Sequence, residues 1–226
     1  MDSCTVDLGG VTAVFPDHGE LWSAAFSAEP QPDGSLTLRW DSPRLGYRYE
    51  KRFALDGGSL ICRYRIENPT DRDLPALWTC YCLVRAEPGL RLLLPEAVRT
   101  VRTCSVPPWA RRGGGSPTRR RGLDLSRMPG ADTWKFYAEG PVSKGRCGYD
   151  YPASGMRAWL RYDADALPYL GFWATAGGYR GDVNCALEPS NGFYDSIPLA
   201  KANGACPVLH AEETWAFDLT ITLEKA

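Results

Sequence analysis

One acidic residue in the last quarter of the chain stands in a setting suited to proton transfer. Glu188 follows the apolar pair Ala186-Leu187 and precedes Pro189, after which Ser190, Asn191 and Gly192 turn the chain. A carboxylate at a strand end, between apolar neighbours and a turn, loses part of its hydration, which raises its pKa and suits it to accept a proton near neutral pH. A solvated edge glutamate fits the same local pattern, so both readings stay open on these residues alone. The only histidines are His18 and His210. Read without context, His18 before Gly19 is a loop residue, and His210 in the VLHAEETW turn is structural.

The 8 cysteines are Cys4, Cys62, Cys80, Cys82, Cys104, Cys147, Cys185 and Cys206. Cys80 and Cys82, two apart on a strand, would share one face. No CxxC pair accompanies them and histidine is scarce, so the expectation is no metal and no cofactor. The N-terminus MDSCTVDLGG has neither a basic n-region nor an apolar h-region. That predicts a cytoplasmic protein with free thiols, the cysteines acting as small buried hydrophobes.

These residues need a scaffold, and the composition points to strands. The 8 Trp, 11 Tyr, 23 Gly and 18 Pro suit pleated surfaces joined by frequent turns. With 226 residues, 44% of them hydrophobic, the expectation is one domain over 1–226 with a sizeable core. Period-2 alternation marks Ser35 to Trp40, Tyr49 to Leu55 and Leu60 to Glu67, with Asp56-Gly57-Gly58 joining the last two as a hairpin. Leu77 to Val84 reads as a strand covered on both faces. Later strands fit Trp134 to Ala138, Ala158 to Tyr162, Tyr169 to Trp173, Cys185 to Glu188 and Thr214 to Leu223. No segment shows convincing helical periodicity, and the prediction is an all-β protein.

The net charge of −1 supplies no field for nucleic acid or an anionic membrane, and no apolar run approaches a spanning length. Neither partner is expected. The exception to this even distribution is 107–130, where Arg111, Arg112, Arg119, Arg120 and Arg121 crowd among Gly and Pro. A flexible surface loop is expected there. An anion clamp over a binding cleft is the functional alternative, since guanidinium forks hold phosphate or carboxylate, and nucleic-acid binding through this loop is a weaker third.

Taken together, several segments resemble the galactose mutarotase (aldose 1-epimerase) family. They are YEKRF (Tyr49 to Phe53), RYRIEN (Arg63 to Asn68), LPALW (Leu74 to Trp78), PYLGFW (Pro168 to Trp173), Leu187-Glu188-Pro189 and Glu213-Thr214-Trp215. The resemblance implies an antiparallel β-supersandwich whose concave face binds a sugar. It places the family's general base at Glu188. Asp17-His18-Gly19-Glu20-Leu21-Trp22 resembles the family's His-Gly segment before a tryptophan, which makes His18 a sugar-contacting imidazole. Trp22, Trp78, Tyr81 and Trp173 would stack on a pyranose, and Arg180, Asp182 and Asp195 would flank Glu188 and bond hydroxyls.

The sequence departs from the family at the acid. A histidine is usual where Thr79-Cys80-Tyr81-Cys82 begins, and a threonine hydroxyl is a poor proton donor at neutral pH. The expected partner is a monosaccharide or sugar derivative. Two versions follow: an epimerase in which His18 or Tyr81 supplies the acid, and a sugar-binding or interaction module that no longer catalyses. The sequence carries no signal for oligomeric state.

Overall fold

The structure is a computed structural model that describes residues 3–10, 12–105 and 132–226. The arginine-rich stretch at 107–130, expected to be a loop, lies outside the described residues. Among those described, the strand ladders are antiparallel. The chain forms two compact units. One comprises residues 1–78 and 191–220, the other 79–190 and 221–226.

The first unit opens with the hairpin β1 (Cys4–Asp7) and β2 (Thr12–Phe15) and a 3-10 turn at Glu20–Ser23. A meander follows: β3 (Ser27–Pro30), β4 (Leu36–Asp41), β5 (Arg48–Asp56) and β6 (Ser59–Glu67). The expected β5–β6 hairpin forms, with Asp56 paired to Ser59 and Gly57 at φ +53°, the left-handed backbone that tight hairpins favour. Exposed charges on this sheet pair across strands. Arg39 donates to Glu50 at 2.7 Å, and Glu50 lies opposite Arg65. Inward-facing residues build an aromatic core, where Tyr64 stacks on Phe217 at 5.0 Å and the Trp78 indole donates to Tyr49 Oη at 3.0 Å. A short pair, β7 (Leu74–Pro75) with β16 (Val208–Leu209), is tied to the turn after β6 by the fully buried Asn68, whose amide donates to the carbonyls of Arg72, Leu209 and His210.

Two expectations change here. Leu77 to Val84 does not form a strand: after β7 the chain makes a single bridge, Thr79 with Ser190, before the two-residue β8 (Val84–Arg85). Backbone bonds here stop at two, Cys80 N–H to the Pro189 carbonyl and Asn191 N–H to the Trp78 carbonyl, and the Asn191 side chain serves the rest, accepting from the Trp78 amide at 2.7 Å and donating to the Ala76 carbonyl at 2.6 Å. Cys80 and Cys82 therefore do not line one face of a strand. A helix, α1 (Ile197–Ala202), is also present, capped by the Ser196 hydroxyl with Pro198 in its first turn.

The second unit holds the sheet β10 (Val101–Ser105), β11 (Asp132–Ala138), β14 (Tyr169–Ala176), β15 (Val183–Ser190) and β8, in that order. Against it lie β9 (Arg91–Leu93), β12 (Arg146–Tyr151) and β13 (Met156–Tyr162). Leu170, Phe172 and Leu187 line one apolar crevice with Leu94, Val98 and Phe136, and Cys147, Tyr149, Leu160 and Cys185 are buried. Tyr149 accepts the Leu187 amide on its hydroxyl at 2.5 Å. The last strand, β17 (Thr214–Lys225), begins in the first unit and ends in the second.

Candidate active site

Because side chains alternate along a strand, the core contacts of β14 and β15 fix what their other face carries. Leu170 and Phe172 face the interior, so Gly171 and Trp173 face away from it; Leu187 faces in, so Glu188 faces away. The ladder then aligns one row across three strands: Tyr137 on β11 lies opposite Gly171 on β14, and Gly171 lies opposite Glu188 on β15. The next row is Lys135, Trp173 and Ala186.

Glu188 is only 1% exposed, and so belongs to the rare class of charged residues taken almost fully out of water. Glycine opposite it is a geometric requirement. A β-carbon on Gly171 would lie 2.9 Å from Tyr137 Cε1 and 3.1 Å from Glu188 Oε2, so the carboxylate and the phenol ring converge over the place where that side chain would stand. Lys135 adds a cation to the same face, its ammonium 5.7 Å from the Tyr137 ring centroid. Two residues along β15, Ser190 Oγ accepts from the Thr79 hydroxyl at 3.0 Å. The face thus carries the buried carboxylate of Glu188, the buried phenol of Tyr137 and the buried Ser190, with the half-buried Lys135, Thr79 and Trp173 beside them. The sheet's other face is different in kind, with a crevice lined only by nonpolar residues such as Leu94, Val98 and Phe136.

The remaining residues singled out from sequence fall in several places. Trp173 shares Glu188's face, and Tyr81 is half-buried in the link from Thr79 to β8. Arg180 and Asp182 do not flank Glu188. They lie in the β14–β15 turn, eight and six residues before Glu188 and beyond the far end of β15, which at about 3.4 Å per residue puts them roughly 20 Å away. Arg180 packs its guanidinium 5.2 Å from the Tyr179 ring.

The other four belong to the first unit. His18 Nδ1 donates to Asp17 Oδ2 at 2.8 Å, and its ring lies 4.8 Å from that of Trp22, which is 60% exposed. Together they form an outward-facing platform. Trp78 is part of the aromatic core, its indole N–H given to Tyr49. Asp195 sits just before α1 at φ +60°; His18 at +58° and Arg180 at +53° share this left-handed backbone, which is uncommon for residues other than glycine.

Sequence reasoning missed Tyr137, Lys135 and Gly171. Alternation in Trp134-Lys135-Phe136-Tyr137 puts the lysine and tyrosine on one face, but only the register between β11 and β14 brings them to Glu188. His210, expected to be structural, hydrogen-bonds Asp73 at 3.0 Å on the surface. Among the described residues no group of three or more His, Cys, Asp or Glu is placed to hold a metal ion, and no helix is long and apolar enough to cross a membrane.

Comparison with solved structures places this architecture. The chain matches a Synechocystis protein, Slr1438, with a TM-score of 0.76 at 16% identity, over 98% of this chain and 73% of that one. A Klebsiella pneumoniae protein described as a candidate aldose 1-epimerase matches with a TM-score of 0.70 at 15% identity, over 98% of this chain and 60% of that one, so the chain spans three fifths of its length. A galactose mutarotase-like protein from Lactobacillus casei gives 0.69 at 15% identity, over 97% and 80%. No protein-family model and no curated protein matches the sequence. The fold is the galactose mutarotase-like antiparallel β-supersandwich expected from the sequence motifs, reached at identities that carry the fold alone.

Proposed function

We propose that this protein binds a monosaccharide or sugar derivative and interconverts its anomers, with Glu188 as the proton acceptor. The observation that carries the reading is the buried carboxylate of Glu188 on a polar face with a phenol, an ammonium and an indole around it. Removing the proton of a C1 hydroxyl needs a carboxylate held in place and shielded from water, and an indole edge beside it suits the C–H face of a pyranose. The fold shared with mutarotase-like proteins makes a sugar the natural ligand, although fold alone does not fix chemistry. His18 and Trp22 are proposed, within the first unit by itself, as a sugar-contacting pair. The cytoplasm is the proposed compartment, consistent with the seven free thiols among the described cysteines.

One observation favours a second reading, a sugar-binding module without catalysis. Thr79, at the position of the family's acid, donates its hydroxyl to Ser190 in a hydrogen bond, and an alcohol is too weak an acid to transfer that proton near neutral pH. Polarimetry and saturation-transfer NMR on a panel of freshly dissolved aldoses, hexose phosphates and acidic sugars separate the two. Anomer exchange faster than buffer, lost in Glu188→Gln while calorimetric binding persists, supports the enzyme. Binding without acceleration supports the module. Neither binding nor acceleration on any sugar sinks both.

A further inference from the structure

The outward side chains of β12 and β13, in the second unit, stand in three rows. Cys147, Tyr149 and Leu160 are buried, so alternation sends Arg146, Gly148 and Asp150 on β12, and Arg157, Trp159 and Arg161 on β13, to the opposite face. In the first row Asp150 stands between Arg157 and Arg91, 3.2 Å and 3.9 Å from their guanidiniums. In the second, Trp159 lies opposite Gly148, where a β-carbon would come 2.8 Å from the indole Cε3. The glycine lets the indole lie over the neighbouring strand, and the indole N–H donates to Glu224 Oε1 at 2.7 Å. The third row sets Arg146 directly opposite Arg161.

Like charges facing each other across two strands, with β-carbons about 5 Å apart, repel. The chain answers its other arginine rows with carboxylates. Asp150 serves Arg91 and Arg157, and in the first unit the facing pair Arg52 and Arg63 is neutralised, Arg52 by Asp33 and Arg63 by Asp218 at 3.8 Å. Arg146 and Arg161 are both exposed, and among the described residues neither has a carboxylate within ion-pair distance. Lys144 adds a third positive charge in the turn that leads into β12, its carbonyl accepting the Arg146 amide at 2.9 Å.

Both guanidiniums are nevertheless held in place. Arg146 stacks on Trp159, with its Cζ 3.7 Å from the ring centroid. That contact occupies the flat face of the guanidinium and leaves its N–H edge open. Arg161 gives one N–H to the Thr222 hydroxyl at 3.0 Å and keeps the rest of its five donors. We propose that Arg146 and Arg161 bind a phosphate dianion between them, as free phosphate or as the phosphate ester of a small metabolite. Its oxygens accept from the open N–H edges, and its charge removes the repulsion between the two side chains. This site uses neither Glu188 nor the anomer-exchange reading.

The Nε–Hε resonances of isotope-labelled protein report each arginine separately. Inorganic phosphate is titrated in while chloride holds the ionic strength constant. Two resonances, identified by their loss in Arg146→Gln and Arg161→Gln, should shift and saturate at millimolar phosphate, on the order of the affinity that two or three charge-assisted hydrogen bonds supply. Either variant should weaken the response of the remaining arginine about tenfold or more. Arg146→Lys, which keeps the charge and loses the stacked fork, should not restore it. Where a variant fails to fold, sequential assignment of the unmodified protein identifies the same two signals. Glycerol phosphate separates the sources: an equal response shows that the site accepts an ester, and a response to inorganic phosphate alone names the free ion. Shifts that chloride reproduces, or that appear on other arginines while these two stay still, overturn the proposal. An Arg146→Lys protein that binds as tightly as the parent also overturns it, because charge alone would then account for the binding.

Discussion

Glu188 lies directly across the strand pair from Gly171, with its Oε2 3.1 Å from the position a β-carbon on Gly171 would take. The glycine is thus part of how the carboxylate is held. Gly171→Ala would push a methyl group between Glu188 and the Tyr137 ring, neither of which can yield without moving a buried side chain. The expected cost is about 1–3 kcal/mol, the usual penalty for overpacking. At this chain length that is a fall of roughly 2–12 °C in Tm, measured by differential scanning calorimetry. A variant that melts with the parent would show that this row is loosely packed.

Asn68 offers a second stability test, in the first unit. Its fully buried amide serves the carbonyls of Arg72, Leu209 and His210, and its oxygen accepts from the Thr70 amide and hydroxyl. Asn68→Ala strands several buried polar groups at once. Losing even two of these bonds without replacement costs roughly 2–4 kcal/mol, which urea titration would read as a lower midpoint at a similar m-value.

How far the sequence could be read divides along one physical line. Strands with strict alternation, such as Ser35 to Trp40 and Leu60 to Glu67, were visible because one face of each meets the core. Leu77 to Val84 looked like a strand because composition cannot reveal that the side chain of Asn191, more than a hundred residues later, takes the Trp78 amide. The helix Ile197–Ala202 is too short to show a period; its signal was the Ser196 cap with Pro198 behind it. The site follows the same division. Glu188 stood out by its immediate neighbours, whereas Tyr137 and Lys135 reach it only through strand register.

Asp33 gives a pH-dependent prediction. Hydrogen bonds from the Ser35 hydroxyl and amide, and then the Arg52 guanidinium, hold its carboxyl below the ordinary carboxylate range. A depressed folded-state pKa stabilises the protein at pH values above the unfolded pKa. That contribution disappears as pH falls through the folded value. Asp33→Asn should therefore lower the neutral-pH midpoint slightly and flatten its decline on acidification, because Asp33 is exposed and solvent screens the interaction. Urea midpoints at several pH values between neutral and strongly acidic would check this; parallel curves for parent and variant would contradict it.

The thiols provide a fourth test. Cys147 and Cys185 are fully buried, and burial pushes the Cys185 thiol up to about 12 and that of Cys147 higher still. In the folded protein neither should react with an aromatic disulfide reagent at neutral pH, since the thiolate is the nucleophile. Denaturation without reductant should release all 8 thiols. Fewer than 8 would reveal a disulfide and count against the cytoplasmic assignment.

The alternation of β14 also restricts which changes in chain length the protein can absorb. Leu170, Gly171 and Phe172 face opposite ways in turn, so deleting one residue within β14 would rotate the rest of the strand by half a period. A leucine or phenylalanine would then stand against the Glu188 carboxylate, and the glycine would leave a gap in the core. A deletion in the 177–182 turn leaves that alternation untouched. Variants of this protein that differ in length should therefore carry their insertions and deletions in its turns, with β14 kept at constant length even where its individual residues drift.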